Sequence, residues 1–140
     1  MTFDIALSDD IVTCQALRRI VFIEEQRVSE VDEVDGRDGE ALHLLARADT
    51  RPIGTARLLI YGDTTKIGRV CVLRDHRGKG FGAALIRAAV EIARDQHNVR
   101  RVQLGAQIQA LAFYEKLGFA AFGPIYDDAG IDHRDMEHVL

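Results

Sequence analysis

The sequence predicts a mixed α/β fold, with one central mixed sheet of about seven strands and helices on both of its faces. Three observations predict it. Segments of strand period and helix period follow one another as βα, βββ, αβ and αββ, with no internal repeat or break in composition to divide them. At 140 residues, 47% hydrophobic and 29% charged, the chain has the composition of an ordinary globular protein, and a chain near this length can bury roughly 68–70% of its unfolded surface. Last, a strand runs through a glycine-rich turn into a long amphipathic helix. The expectation is one domain over residues 1–140.

Residues 3–7 alternate as a short strand. Ser8, with Asp9 and Asp10, reads as the N-cap and acidic first turn of a helix carrying Ile11, Cys14, Leu17 and Val21 on one face. From Glu24 to Glu40 the apolar period lapses, and eight acids stand against Arg27 and Arg37, a net of −6 in a chain of formal net charge −4. Residues 41–48, 53–61 and 65–73 are β-rich runs joined by Asp49-Thr-Arg-Pro52 and Tyr61-Gly-Asp-Thr64, which have turn chemistry, so an antiparallel meander is expected. Phe81, Leu85, Ala88 and Ile92 mark one face of a helix running to about Gln96. Residues 102–105 read as a strand, 109–117 as a helix stopped by Gly118, and 120–125 and 132–139 as two closing strands.

Charge and composition exclude several functions. A net charge of −4 and a pI near 5.7 argue against an electrostatic grip on nucleic acid or anionic membrane, which needs clustered Lys and Arg. The N-terminus lacks a basic flank and no run approaches ~18 apolar residues, so a cytoplasmic location is expected. Cys14 and Cys71 sit among apolar neighbours without CxxC or His/Cys ligand spacing, and read as reduced core thiols rather than disulfide or metal ligands.

The strongest local signal is Val70-Cys-Val-Leu-Arg-Asp-His-Arg-Gly-Lys-Gly-Phe-Gly82. Glycines let a backbone approach a ligand closely, and successive N–H groups at a helix N-terminus favour a phosphate or pyrophosphate. A Walker A loop is excluded because Lys79 is followed by Gly80. A dinucleotide fingerprint is formally matched by Gly78-Lys-Gly-Phe-Gly-Ala83, but its acidic partner ~20 residues on should end a second strand, and residues 98–101 read as loop.

Arg77-Gly-Lys-Gly-Phe-Gly82 resembles motif A of the GCN5-related N-acetyltransferases, the GNAT family. Gln107-Ile-Gln-Ala-Leu-Ala-Phe-Tyr-Glu-Lys-Leu-Gly-Phe119 resembles the same family's Asn-x-x-Ala-x-x-Leu-Tyr-x-x-x-Gly-Phe segment. Val21-Phe-Ile-Glu-Glu-Gln26, the acidic stretch into His43, and Asp128-Ala-Gly-Ile-Asp-His-Arg-Asp-Met136 are similar to its ElaA-like branch. The chain departs from that pattern at Gln107, where many members have Asn, and at Ser29 and Asp132, where Pro is frequent.

The resemblance implies an enzyme that moves the acetyl group of acetyl-CoA directly to a primary amine, a small molecule or a protein amine, without a metal; a homodimer is compatible with the family. It implies that the backbone of Val70, Cys71 and Val72 pairs with the pantetheine arm, that Arg77, Gly78, Lys79, Gly80, Phe81, Gly82 and Ala83 hold the pyrophosphate, and that Gln107 and Phe113 complete the cofactor site. Tyr114 matches the position whose hydroxyl protonates the departing thiolate. A non-catalytic acyl-CoA-binding module of the same fold is the alternative.

The chemistry needs a neutral nucleophile, and an amine of ordinary pKa is only about 0.04% neutral at pH 7. Some relatives place a Glu on the central strand, but residues 64–74 contain no carboxylate. Glu24, Glu25, His43 and His133 are the candidates for acceptor contact or a water-mediated base, and the net −6 stretch is expected to draw a cationic acceptor.

Overall fold

The computed structural model of the protein describes residues 2–140. Its strands are β1 (Phe3–Leu7), β2 (Leu42–Ala48), β3 (Arg51–Tyr61), β4 (Thr64–Val72), β5 (Arg101–Gln107), β6 (Ala120–Asp128) and β7 (Ile131–Val139). The helices are α1 (Ile11–Arg18), which widens into a π-helical stretch over Arg19–Glu25, then α2 (Glu30–Glu33), α3 (Phe81–Arg94) and α4 (Leu111–Glu115). All seven strands form one sheet in the order β1-β2-β3-β4-β5-β7-β6. Every neighbouring pair is antiparallel except β4 and β5, which are parallel and joined through α3.

Strand alternation divides the core between two faces. Leu44, Ala46 and Leu58 point to one side, where Phe81, Leu85, Ile86 and Ala89 of α3 cover them. Leu45 and Cys71 point to the other, against Cys14, Leu17 and Val21 of the first helix. Burial of each such large side chain stabilises the fold by roughly 1.5–3 kcal/mol, which outweighs the weak local propensity of the short elements. Close packing of α3 needs Gly54: a Cβ there would lie 2.9 Å from the Cys71 carbonyl oxygen and 3.2 Å from Leu85 Cδ1.

Two local expectations are corrected. The N-cap of α1 is Asp10, whose carboxylate accepts from the Thr13 amide (3.1 Å) and hydroxyl (2.6 Å), while Ser8 accepts from the Asp10 amide. The helix expected over 109–117 is a 3-10 turn at Ile108–Ala110 followed by the short α4, ended by Gly118 at φ +97°.

The acidic stretch is also not the free negative surface that its composition suggests. Six of its eight acids are ion-paired: Glu25 with Arg77, Glu30 with Arg19, Glu33 with Arg18, Asp35 with Arg57, Asp38 with Arg18 and Arg57, and Glu40 with Arg37. Arg18 and Arg57 are only 2% and 4% exposed, so the acids between Glu30 and Glu40 form a strap whose charge compensates two buried guanidiniums. The partners come from α1 and β3, distant in sequence, which is why local composition misreads them.

Hydrogen bonding from Arg57 holds the Asp35 carboxyl down at about 2. Burial alone would raise the Asp38 carboxyl, but hydrogen bonds from Arg18, Gln15 and Arg57 outweigh it and keep it well below its ordinary value. Both folded-state values lie below the unfolded 3.8, so this stabilisation is complete above that pH and is lost as pH falls through about 2. Asp38→Asn is expected to cost about 3 kcal/mol at pH 7, because it strips charge from two buried cations. Thermal melts from pH 7 to pH 2 should show a lower Tm at neutrality and a shallower acid decline than wild type.

Candidate active site

The site begins where two strands part. β4 and β5 pair only from Thr64↔Arg101 to Ile67↔Leu104. Between Gly68 and Cys71 the β3 register slips, with one extra residue on β4 and Arg69 at φ +53°, the mark of a β-bulge that bends the strand. Residues 68–72 therefore stay on β3 but lose their β5 partner, while β5 continues beside β7 to Gln107↔His133. One edge of β4 is left with unpaired backbone groups, ready for an extended ligand to add as a strand.

That edge leads into the glycine turn. Gly78 and Gly80 have φ of +76° and +87°, and nothing lies within 4 Å of a Cβ built at either. Gly80 occupies the N-cap of α3 with no side-chain cap, and the amides of residues 78–83 donate to no acceptor among the described residues. These outward N–H groups at the positive end of a 14-residue helix make a candidate anion site. Lys79 is exposed and makes no ion pair among the described residues. Arg77 is engaged: its Nε donates to the Val72 carbonyl at 2.8 Å, and its two terminal nitrogens donate to Glu25 at 2.5 and 2.8 Å, which lowers the Glu25 pKa.

Beyond the parting strands lies a cleft of about 470 Å³, lined by Val70 on one side and by Gln107, Tyr114 and His133 on the other. Tyr114 projects from α4, edge-on to Phe113 and Phe119, and its hydroxyl has no protein partner among the described residues. Burial raises its pKa, so the phenol stays protonated at neutral pH. The Phe113 ring end comes within 3.7 Å of a Cβ built at Gly82, which ties α4 to the anion turn. The far wall is Asp32, Glu33 and Arg69 of the strap and the bulge.

Not every expected residue joins this cleft. The Phe81 side chain is 3% exposed and packs edge-on against Phe3, leaving only its backbone to the anion site. Cys71 faces the α1 side and burial pushes its thiol up to about 12, as suits a core thiol. Glu24 is exposed and does not line the cleft, and Glu25 is held by Arg77. His43 is 3% exposed, beside a separate hollow, with Nε2 2.9 Å from the Asp38 carbonyl. His133 does line the cleft.

Three cleft residues carried too little sequence signal to be found. Tyr126 donates to Asp135 at 2.9 Å, and burial together with that bond raises its pKa. Its phenol lies where a Cβ at Gly105 would stand, so a side chain there would have to displace the Tyr126 hydroxyl. Among the described residues no group of three His, Cys, Asp or Glu side chains is placed to hold a metal ion, and no helix is long and apolar enough to cross a membrane.

A seven-stranded mixed sheet whose central parallel pair opens above a helix-terminal anion site is the architecture of acyl-CoA N-acyltransferases. The crystal structure of such an enzyme from Pseudomonas aeruginosa superposes with a TM-score of 0.88 at 30% identity, covering 98% of this chain and 99% of that one. The acetyltransferase (GNAT) domain family matches residues 15–140, and the chain belongs to that family. A Bacillus subtilis (strain 168) protein named as an acetyltransferase is 36% identical over 132 residues, 92% of this chain and 89% of its own length. Protein ElaA of Escherichia coli (strain K12) is 33% identical over 125 residues, 86% of this chain and 81% of its own, and its crystal structure superposes with a TM-score of 0.84 over 98% of both chains. The resemblance to the ElaA-like branch is thus confirmed, and the chain is an acetyltransferase.

Proposed function

We propose that residues 1–140 form one cytoplasmic N-acetyltransferase domain that transfers the acetyl group of acetyl-CoA directly to a primary amine held in the 470 Å³ cleft. The observation that carries this reading is the unpaired β4 edge followed, after a 3-10 turn at Arg74–His76 and the glycine turn, by the uncapped N-terminus of α3, with Tyr114 across the opening. The fit to the cofactor is chemical. An extended amide-bearing arm finds backbone partners along residues 68–72, and a pyrophosphate finds free N–H groups at residues 78–83 with Lys79 beside them. Arg77 would exchange Glu25 for that anion.

When bound, acetyl-CoA supplies an activated thioester carbonyl. The chain's own residues do the rest. Gln107 and Phe113 position the arm, the cleft excludes bulk water from the amine, and Tyr114 gives its proton to the departing sulfur. The acceptor is a small-molecule or protein amine. The strap's compensated charge removes the argument for selecting it by a broad negative field.

Acetyl-CoA is expected to raise Tm, by mass action worth ~2.7 kcal/mol at a hundredfold excess over its Kd, whereas NAD is not. Thiol release from acetyl-CoA with ethanolamine, putrescine, glucosamine, kanamycin and a lysine-containing peptide then tests transfer. No shift with acetyl-CoA, or an equal shift with NAD, would refute the cofactor reading.

A further inference from the structure

We infer that His133 is the general base of the transfer proposed above, a role that rests on that reading, and that it takes the acceptor's proton at Nε2. His133 pairs in register with Gln107 at the last rung of β5 and β7, where β5 has already left β4 and the chain turns towards Tyr114. The imidazole therefore stands at the mouth of the opening, on the wall that also carries Gln107 and Tyr114.

The ring's tautomer is set by a neighbour. Nδ1 lies 2.8 Å from the Ile131 carbonyl oxygen, which can only accept, so Nδ1 carries the hydrogen and the neutral ring has a bare lone pair on Nε2. Nε2 makes no hydrogen bond within the described residues. The Tyr126 ring stacks on the imidazole, with centroids 5.9 Å apart and planes 26° from parallel, and Tyr126 is itself held by Asp135. Two interactions thus fix the ring's tilt while leaving one basic nitrogen available.

The titratable groups that share the cleft with it are Asp135 on its own strand, Asp128 and Tyr126 on β6, Tyr114 on α4, Arg57 and Tyr61 on β3, Lys66 and Arg69 on β4, and Asp32, Glu33 and Arg37 of the acidic stretch. β5 lines the cleft with Gln103, Leu104, Gly105 and Gln107, none of them titratable. Glu33 and Asp135 are already engaged, by Arg18 and Tyr126. Glu24, Glu25 and His43, the other candidates for the base, do not line the cleft.

The step balances. Nε2 takes one proton from the acceptor ammonium, directly or through one water, and the freed nitrogen lone pair forms the C–N bond at the thioester carbonyl. The C–S bond breaks, the thiolate takes the Tyr114 proton, and the second proton on nitrogen returns to the Tyr114 oxygen. Net, one proton leaves through His133 to solvent.

Two measurements test this. Nitrogen NMR of labelled histidine side chains in the wild-type protein should show neutral His133 protonated at Nδ1, assigned by its absence from His133→Gln; a neutral ring protonated at Nε2 overturns the assignment. With the fastest amine found in the thiol-release panel, His133→Gln should lower kcat/KM about a hundredfold at pH 7, within the span of general-base removal, and leave the acetyl-CoA KM and thermal shift unchanged. The acid limb of the kcat/KM profile should vanish, and the deficit should shrink as pH rises and the amine loses its own proton. His133→Phe, which keeps a ring to stack on Tyr126, should behave the same. A loss under threefold, or a wild-type acid limb surviving in both variants, overturns the base role alone. A wild-type enzyme that turns over no amine overturns the transfer reading instead.

Discussion

Gly80→Asp should abolish the rise in Tm that acetyl-CoA produces and weaken its binding by at least about a hundredfold, an electrostatic and steric loss of ~2.7 kcal/mol or more. The reason is local. Gly80 sits at φ +87° in the N-cap of α3 with open space around it, and it borders the free amides that make the anion site. A carboxylate there would itself take those N–H groups, as N-cap aspartates do, and would repel a pyrophosphate. Gly80→Asn separates charge from shape, since Asn is nearly isosteric and tolerates positive φ about as well as Asp. Asn should retain far more affinity than Asp. Calorimetric titration checks the pair, and an acetyl-CoA affinity unchanged in Gly80→Asp would remove the anion site from this turn.

Tyr114→Phe should leave acetyl-CoA affinity near wild type and lower kcat by ~10²–10⁴-fold, the usual span for loss of a general acid. The substitution keeps the ring that packs between Phe113 and Phe119 and removes only an oxygen with no protein partner among the described residues, so little stability should go with it. Burial raises the phenol's pKa, which keeps the proton that this role requires on the oxygen throughout the neutral range. Pre-steady-state kinetics must show chemistry to be rate-limiting. Under that condition, a fall of less than threefold would take Tyr114 out of the mechanism.

Most of the strands and both long helical segments were legible because each is a local periodicity: alternation in residues 3–7 and through the meander, and a 3.6-residue stripe through Phe81, Leu85 and Ile92. The glycine turn was legible for a related reason. Positive φ at Gly78 and Gly80 and the missing cap at α3 are properties of a few consecutive residues, so the turn needs no distant partner to define it. The helix cap at Asp10 and the 3-10 turn that opens α4 were misread because neighbouring residues offer competing caps and starts, and tertiary packing selects among them.

The amino-acid sequence by itself therefore determined the order of elements, the two-faced sheet and the glycine turn ahead of α3, since these depend on side-chain period and backbone freedom within short windows. Only the tertiary structure decided what the charged residues do. The strap between Glu30 and Glu40 became charge compensation once Arg18 and Arg57 arrived from α1 and β3. A slip at Arg69 opened the cleft by ending the β4–β5 ladder at Ile67. Of the four acids and histidines that the sequence offered for the acceptor, only His133 lines that cleft. Coulombic pairing and strand register act between residues tens of positions apart, and neither leaves a mark in the local pattern that a sequence displays.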